Sequence, residues 1–393
     1  LDVDISAVKV SGQVTLEGGE LPLEDMNRGQ IAFVNTSTGD AAMVDLDRQG
    51  AKAYEVVLLP GAYAVDFEGN PALCSEDLAE MPCNSGRLMS GLNLLNDGVL
   101  DVDISAVRVS GQVTLEGASL PAENADRGQL LFSLAGGGQA LSKSFDRSGA
   151  FAYELILLPG NYSLSLQGNP ALCTGVNPSQ VPCNSGILLS DLNLINDGVL
   201  DVDIPAVSVS GQVLLNGAAL PTESLDRGSL AFSLGQSTVN SKALGTSGTF
   251  SYQMTLLPGA YAVTFNGNEA FCARESVSTM PCNSGVVLSD LNLQNDGVLD
   301  VNIPSVRVQG QVSLEGAVMP TEMNDRGQLE FLMRTGSAVR GRAFESSGGV
   351  SYDLRLLRGN YLVLHRANAG LCNPMLARPQ VPCNDQVLLG CGN

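Results

Sequence analysis

The sequence predicts an all-β protein of four tandem β-sandwiches, and three observations carry that prediction. A nine-residue motif at 96–104 recurs at 196–204 and 295–303, and its second half opens the chain at 1–5. Short runs of alternating apolar and polar residues are separated by turns rich in glycine and proline. No segment has an apolar stripe of helical period over about eleven residues. Many short strands with frequent turns are typical of β-sandwiches.

The recurring motif, called the seam below, divides the 393 residues into four copies. Each copy of about 100 residues is long enough to bury its own core, unlike the short repeats of a solenoid. We therefore expect four beads on a string that form a rod. The predicted domains are 1–99, 100–199, 200–298 and 299–393.

The second copy shows the strand pattern. Residues 107–115 alternate between apolar and polar side chains, which predicts a strand with one buried face. A loop leads to a strand that follows Arg127-Gly128, and another strand is expected at 151–157. Residues 158–161 read Leu-Pro-Gly-Asn, which suits a type II turn. A last strand over 187–194 leads into the seam.

The seam admits two interpretations. Its alternation favours a hairpin, in which the last strand of one copy turns at Asn-Asp-Gly into the first strand of the next, with the aspartates facing solvent. Its carboxylates also match part of a calcium loop, since hard cations bind clusters of oxygen atoms. Against calcium, Ile104 stands where such a loop has a bidentate Glu. The candidate calcium ligands are Asp97, Asp101, Asp103, Asp197, Asp201, Asp203, Asp296 and Asp300. No other cofactor is expected.

Eight of the nine cysteines form one close pair in each copy, which predicts four disulfides in an oxidising compartment. Zinc is disfavoured, because each copy has one wide pair and the chain has one histidine. Each disulfide would close a loop of about ten residues and stabilise its domain by roughly 2.5–3 kcal/mol. Cys391 has no counterpart and is expected to be free or to pair outside the chain. The predicted pairs are Cys74/Cys83, Cys173/Cys183, Cys272/Cys282 and Cys372/Cys383.

Two side chains recur in every copy. An arginine before glycine at a strand start is expected to bond loop carbonyls or a neighbouring carboxylate within its domain, rather than a ligand. A tyrosine after the Pro-Gly turn is expected to form a tyrosine corner, and a second tyrosine to lie in the core. These residues are Arg28, Arg127, Arg227 and Arg326, then Tyr63, Tyr162, Tyr261 and Tyr361, and Tyr54, Tyr153, Tyr252 and Tyr352.

The order of these motifs resembles the carboxypeptidase regulatory-like domain, and this resemblance implies that each copy is a transthyretin-like, Greek-key β-sandwich. In the second copy the motifs lie at 109–117, 120–121, 127–128, 149–153 and 157–162. Tandem copies with the added cysteine loop and seam are similar to modules of predicted surface lipoproteins of myxobacteria and their relatives. The resemblance implies a secreted or surface location and a structural or adhesive role, and it carries no catalytic residues.

Composition excludes several function classes. The net charge of −20 disfavours nucleic-acid binding. The sequence contains no apolar run of about 18 residues, so no transmembrane segment is expected, and no signal peptide is visible. Nucleophilic catalysis is disfavoured, because the single histidine, His365, lies in a run that predicts local packing. The absence of tryptophan disfavours an aromatic platform for carbohydrates.

The sequence therefore predicts a non-enzymatic extracellular or cell-surface protein, either a rigid stalk or the protomer of a head-to-tail fibre. The alternative is an adhesin that binds through the variable loops at 35–48 and 235–244, with calcium as a candidate stabiliser. The expected partner is a second copy or another surface component. An unpaired edge at the end of the fourth copy invites a strand from the next molecule. The segment expected to supply self-association is Leu1, Asp2, Val3, Asp4 and Ile5, with Cys391 near the other end.

Overall fold

The computed structural model describes residues 4–75, 79–142, 144–174, 179–241, 243–274, 278–334, 336–372 and 380–384, and the backbone of 387–392. In these residues the chain is all-β and forms four tandem β-sandwiches, which confirms the predicted fold class. The chain divides into two compact units. They are Leu1–Leu172 with Cys183–Ala206, and Cys173–Pro182 with Val207–Asn393.

The first sandwich sets the pattern for the others. One sheet has the order β4-β1-β7, with β8 also paired to β1, and the other has the order β3-β2-β5-β6. The elements are β1 (Val8–Leu16), β2 (Gln30–Asn35), β3 (Ala41–Asp45), β4 (Lys52–Leu58), β5 (Gly61–Glu68), a 3₁₀ helix (Pro71–Ser75), β6 (Gly86–Leu94), β7 (Gly98–Val99) and β8 (Val102–Ile104).

Alternation along β1 builds the core between the sheets. Val8, Val10 and Val14 are buried, while Lys9 points outward and pairs with Glu55 on β4. Across the core, the ring of Phe33 on β2 lies 5.4 Å from that of Tyr54 on β4. Burial of one face of each sheet is the main stabilising contribution to such a sandwich.

The second sandwich repeats this arrangement. Its sheets have the orders β10-β9-β13, with β16 and β17 also on β9, and β12-β11-β14-β15. The elements are β9 (Val107–Leu115), β10 (Ala118–Ser119), β11 (Gln129–Leu134), β12 (Gln139–Leu141), β13 (Phe151–Leu157), β14 (Gly160–Gln167), α1 (Ala171–Thr174), β15 (Gly186–Leu194), β16 (Gly198–Val199) and β17 (Val202–Ile204).

The third sandwich also places seam strands, β25 and β26, on its first strand, β18. Its elements are β18 (Val207–Leu215), β19 (Ala218–Ala219), β20 (Ser229–Leu234), β21 (Ser237–Asn240), β22 (Phe250–Leu256), β23 (Gly259–Asn266), a 3₁₀ helix (Glu269–Phe271), β24 (Gly285–Leu293), β25 (Gly297–Val298) and β26 (Val301–Ile303).

The fourth sandwich has sheets of order β28-β27-β31 and β30-β29-β32-β33. Its elements are β27 (Ser305–Leu314), β28 (Ala317–Val318), β29 (Gln328–Met333), β30 (Ala338–Arg340), β31 (Val350–Leu357), β32 (Tyr361–Arg366), a 3₁₀ helix (Ala369–Cys372) and β33 (Val387–Gly392).

The seam does not form the predicted hairpin. β6 belongs to the second sheet, and the chain then crosses over so that β7 and β8 pair with β1 in parallel. Val102 and Ile104 are fully buried against the sandwich that precedes them. Alternation correctly predicted these buried residues, but it does not specify the partner strand. The domain boundaries that the repeat period predicts, such as that between 99 and 100, stay predictions. By strand pairing, residues 102–104 belong to the first sandwich.

The turn before β14 is not of type II. Gly160 does not have the positive φ that this turn requires, because it already begins the strand. The glycine instead lies close to the side chain of Leu134. A Cβ at Gly160 would lie 2.5 Å from Cδ1 of Leu134.

Candidate interaction site at the seam strand

The seam strand covers one edge of the first strand in each of the first three sandwiches. In the first sandwich, Leu100 N donates to Ser11 O at 2.8 Å and Glu17 N donates to Ile104 O at 3.0 Å. Leu200 and Leu299 make the same bond to Ser110 and Ser210, each at 2.7 Å. The edge that would otherwise expose its backbone groups is therefore paired within the chain.

The seam aspartates accept hydrogen bonds from the strand that the seam covers. Asp97 Oδ1 accepts from Lys9 N and Asp101 Oδ1 from Gln13 N, each at 2.8 Å. Asp103 Oδ1 accepts from Gly18 N at 2.8 Å. These carboxylates satisfy edge amides that the interrupted parallel ladder leaves without a carbonyl. The same role falls to Asp197, Asp201, Asp203, Asp296 and Asp300.

The structure spreads these carboxylates along an extended strand and does not bring them together. Among the described residues, no three His, Cys, Asp or Glu side chains are placed to share a metal ion. In the third seam, Asn302 occupies the position of Asp103, and its Oδ1 accepts from Gly217 N at 2.7 Å. A neutral amide makes the same contact, so this position requires a hydrogen-bond acceptor and not a charge.

The carbonyl of Leu100 is the centre of the site. The hydroxyl of Tyr54 donates to it, and a Cβ on Gly12 would lie only 2.0 Å from its oxygen. Tyr153 and Tyr252 donate to Leu200 O at 2.5 Å and to Leu299 O at 2.6 Å. A Cβ on Gly111 or on Gly211 would also lie 2.0 Å from the corresponding oxygen. Glycine at positions 12, 111 and 211, each between a serine and a glutamine, is therefore required for the seam to approach the first strand of its sandwich.

The alternation of the sequence predicted these tyrosines only as core residues and gave no sign of their hydroxyl contacts. Burial raises the pKa of Tyr54 to about 12, and the neighbouring Asp101 carboxylate also raises it. Burial raises the pKa of Tyr153 and of Tyr252 in the same way, with a second contribution from Asp201 and Asp300. Each hydroxyl therefore remains a donor to the seam at neutral pH.

The recurrent arginine fastens loops inside each sandwich, which confirms the framework role predicted for it. Arg28 is fully buried, and its guanidinium donates to Pro22 O at 2.8 Å and Gly50 O at 3.1 Å. Desolvation lowers the pKa of Arg28, while the Asp47 and Glu24 carboxylates raise it. Arg127, Arg227 and Arg326 are also fully buried and donate to the corresponding loop carbonyls.

The predicted tyrosine corners are confirmed. The hydroxyl of Tyr63 donates to Leu59 O at 2.9 Å. Tyr162, Tyr261 and Tyr361 make the same contact to the residue four positions earlier. His365 is buried as predicted for a packing residue, with its ring stacked on Phe344 at a centroid distance of 6.0 Å.

A buried asparagine after the cysteine loop joins the first sandwich to the second. Asn84 donates through Nδ2 to the hydroxyl of Tyr162 at 2.9 Å and accepts through Oδ1 from Leu158 N at 2.9 Å. In the second unit, Asn283 makes both contacts to Tyr361 and Leu357 at 2.8 and 2.7 Å. These joints were not predicted, although the Pro-Cys-Asn-Ser run that recurs in the first three copies is a signal for them.

The remaining predicted residues lie as follows. Three disulfides join Cys74 to Cys83, Cys272 to Cys282 and Cys372 to Cys383, and Cys173 and Cys183 are also disulfide-bonded. Asp4 and Ile5 are exposed. Leu1, Asp2, Val3 and the side chain of Cys391 lie outside the described residues. In the described part of the chain, no helix has the length and apolar character needed to cross a bilayer.

No protein-family model matches the sequence, and no curated protein matches it. Solved structures show weak likeness. The tip fimbrial protein Mfa3 from Porphyromonas gingivalis is 10% identical, with a TM-score of 0.22, over 41% of this chain and 78% of that chain. A streptococcal ancillary pilin is 13% identical, with a TM-score of 0.21, over 76% and 99%. Two B repeat units of the collagen binding protein of Staphylococcus aureus are 9% identical, with a TM-score of 0.19, over 92% and 93%.

Proposed function

We propose that the chain is a non-enzymatic structural repeat protein of the cell surface or the extracellular space. It acts as a stiff stalk or as the protomer of a head-to-tail fibre. The observation that carries this proposal is the direct connection between sandwiches. β8 ends at Ile104 and β9 begins at Val107, so the strand that closes the first sandwich reaches the second without a loose linker. Short connections of this kind restrict rotation between neighbouring domains.

The asparagine joints support the same function. Asn84 and Asn283 are at most 1% exposed, and each bonds both a backbone amide and a tyrosine hydroxyl of the following sandwich. A buried amide with both ends satisfied resists separation, because opening the joint leaves polar groups unpaired. The disulfides support an oxidising, extracellular location.

We also propose that each sandwich is related to the carboxypeptidase regulatory-like domain and to the myxobacterial surface modules. This relationship is supported by the order of motifs in each copy. A stalk or fibre role is in keeping with modules of that kind, since the recurrent arginines bond loops of their own sandwiches, and Tyr162 and Tyr361 also bond the preceding sandwich.

Negative-stain electron microscopy of the purified chain tests the proposal. A stalk is expected to appear as a rod in which first and second sandwiches keep a narrow distribution of angles, and a fibre as filaments with a repeat of one chain. The variant Asn84→Ala is expected to broaden that distribution, and Asn93→Ala, on an exposed strand position, is its control. Flexibly linked beads would contradict the stalk. Monodisperse monomers at high concentration would contradict the fibre.

An adhesin is the second candidate, and the connection between the second and third strands of each sandwich favours it. This turn spans 36–40 in the first sandwich, where it is exposed, and 135–138 in the second, where it has a different sequence and Gly138 N donates to Ser85 O. Exposed turns that vary on a constant scaffold suit recognition. Binding on a glycan array, lost when 36–40 is replaced by the second turn, would support it, and a blank array would argue against it.

A further inference from the structure

The first strand of the fourth sandwich has an edge that no described strand covers. β31 and β28 pair with β27, as β13 and β10 pair with β9. The register is also the same, since Gly310 lies opposite Tyr352 as Gly111 lies opposite Tyr153. Among the described residues, however, nothing takes the place that β16 and β17 have on β9.

This edge keeps the groups that bind a seam in the other sandwiches. Gly310 and Tyr352 correspond to the glycine and tyrosine that surround the seam leucine carbonyl. Glu315 keeps a left-handed φ of 52°, the same as Glu17 and Glu116. In those two residues the side chain accepts a backbone N–H just beyond the seam, at 3.1 Å. A strained conformation persists where the surrounding structure holds it, so this part of the site is already formed.

The hydroxyl of Tyr352 lies in the space that a seam would fill. A Cβ placed on Gly310 would be 2.6 Å from this hydroxyl oxygen. In the other three sandwiches the atom nearest to that Cβ is the seam leucine carbonyl oxygen, at 2.0 Å. An incoming carbonyl would therefore displace the hydroxyl and then accept its hydrogen bond.

Apolar surface is also less well covered at this edge. Val306 is 39% exposed, whereas its counterparts Val8 and Val107 are each 3% exposed. Val308 and Val312 are part-exposed, although the equivalent valines of the first sandwich are buried. The fully buried Val102 and Ile104 show which side chains a seam inserts there. Covering such surface favours association.

We propose that the edge of β27 that no described strand covers, from Arg307 to Gly316, binds a strand of seam sequence. The bound strand would run parallel to β27. It would have aspartates at its second, sixth and eighth positions and apolar residues at its fifth, seventh and ninth. The aspartates would accept from the amides of Arg307, Gln311 and Gly316, the counterparts of Lys9, Gln13 and Gly18. The biological use of this site, a joint between subunits, rests on the proposed fibre function, whereas the binding itself does not.

Titration with a synthetic nonapeptide tests the proposal. The peptide has the sequence of residues 196–204, carries a fluorophore and is added to the monomeric full chain while anisotropy is measured. Saturable binding of one peptide per chain is expected, together with hydrogen-exchange protection over 306–316. A peptide of the same composition in scrambled order is expected not to bind.

Two substitutions provide matched variants. Gly310→Ala is expected to weaken peptide binding at least tenfold, because its Cβ would meet the incoming carbonyl, while Tyr352 can rotate away in the unbound chain. Gly349→Ala has open space around its Cβ and is expected to bind like the wild type. Should Gly310→Ala fail to fold, Tyr352→Phe removes only the hydroxyl and is expected to weaken binding about tenfold.

The outcomes separate this proposal from the proposed function. Absence of peptide binding, protection in another sandwich, or unchanged binding by both Gly310→Ala and Tyr352→Phe would overturn the β27 site. Filaments without peptide binding would leave the fibre function standing and remove this joint. Peptide binding by a chain that forms no filaments would establish the site and contradict the fibre.

Discussion

The glycine opposite the seam provides the most direct test of how the sandwiches are closed. In the variant Gly111→Ala, the new Cβ would lie 2.0 Å from Leu200 O and 2.6 Å from Leu200 C. Both atoms belong to the backbone, so no rotamer change relieves the clash. Ordinary contact begins at 3.4 Å, and the seam must therefore move away by about 1.4 Å.

That displacement breaks three hydrogen bonds of the second sandwich. They join Leu200 N to Ser110 O at 2.7 Å, the Tyr153 hydroxyl to Leu200 O at 2.5 Å, and Gln112 N to Asp201 Oδ1 at 2.9 Å. At about 1 kcal/mol for each bond, the free energy of unfolding is expected to fall by about 3 kcal/mol. Because the chain has four sandwiches, a single melting temperature does not report this loss.

Hydrogen exchange followed by mass spectrometry on the full chain measures the effect in the second sandwich. Protection of residues 107–115 is expected to fall about 150-fold, and protection of the equivalent strand in the third sandwich is expected to stay unchanged. Gly198→Ala is the control, since its nearest neighbour is Asn196 O at 4.0 Å and its φ is not left-handed. Equal protection in Gly111→Ala and Gly198→Ala would refute the requirement for close approach.

Four further predictions follow from the same contacts. Asp201→Asn keeps a hydrogen-bond acceptor and is expected to change the free energy of unfolding of the second sandwich by less than about 0.5 kcal/mol. Asp201→Ala removes the acceptor and is expected to lower it by about 1 kcal/mol. Equal rates of amide hydrogen exchange in the two variants would contradict this. Arg227→Lys removes donors to the carbonyls of Pro221, Gly245 and Gly248, so it is expected to lower the free energy of unfolding of the third sandwich by about 3 kcal/mol. Arg147→Lys, at an exposed position, is the control and is expected to lower it by less than about 0.5 kcal/mol. Hydrogen exchange measures both. Burial raises the pKa of Tyr54 from 10.0 to about 12, so the stability it contributes is fully present below pH 10 and is lost as the pH rises toward about 12. Tyrosinate absorbance that rises before circular dichroism changes would contradict that pH dependence. Because the seam aspartates accept from backbone amides and no three carboxylates of the described residues come together, calcium or EDTA is expected to shift thermal unfolding by less than about 1 °C, and a larger shift would support a cation site.

The repeat and its alternation predicted the fold class, and they also predicted buried residues such as Val102 and Ile104. The predicted pairing of the seam was wrong, because an alternation of period two shows which face of a strand is buried and does not show which strand lies beside it. Asn-Asp-Gly resembled a hairpin turn, yet Gly98 has no left-handed φ and begins β7, which pairs with β1. Only the three-dimensional pairing distinguishes a strand that begins the next sandwich from one that closes the previous sandwich.

The polar contacts of the site were the least predictable part. Tyr54 lies on an apolar face and was predicted as core, which its burial confirms, but its hydroxyl bonds a carbonyl 46 positions away. Asn84 bonds Tyr162 across 78 positions. Such contacts leave no local pattern in the sequence. The arginine framework was predictable because its partners are loop carbonyls, available in any fold that places the loops nearby.

The parallel pairing of β1 with β7 and β8 has a mechanical consequence. These strands contain the first and last paired residues of the first sandwich, and they run side by side in the same direction. A force that stretches the chain slides one strand along the other, and it loads the amide, carboxylate and carbonyl contacts between them at the same time. Antiparallel terminal strands would instead be opened one bond after another, like a zip. In each of the first three sandwiches, the seam is therefore a clamp loaded in shear.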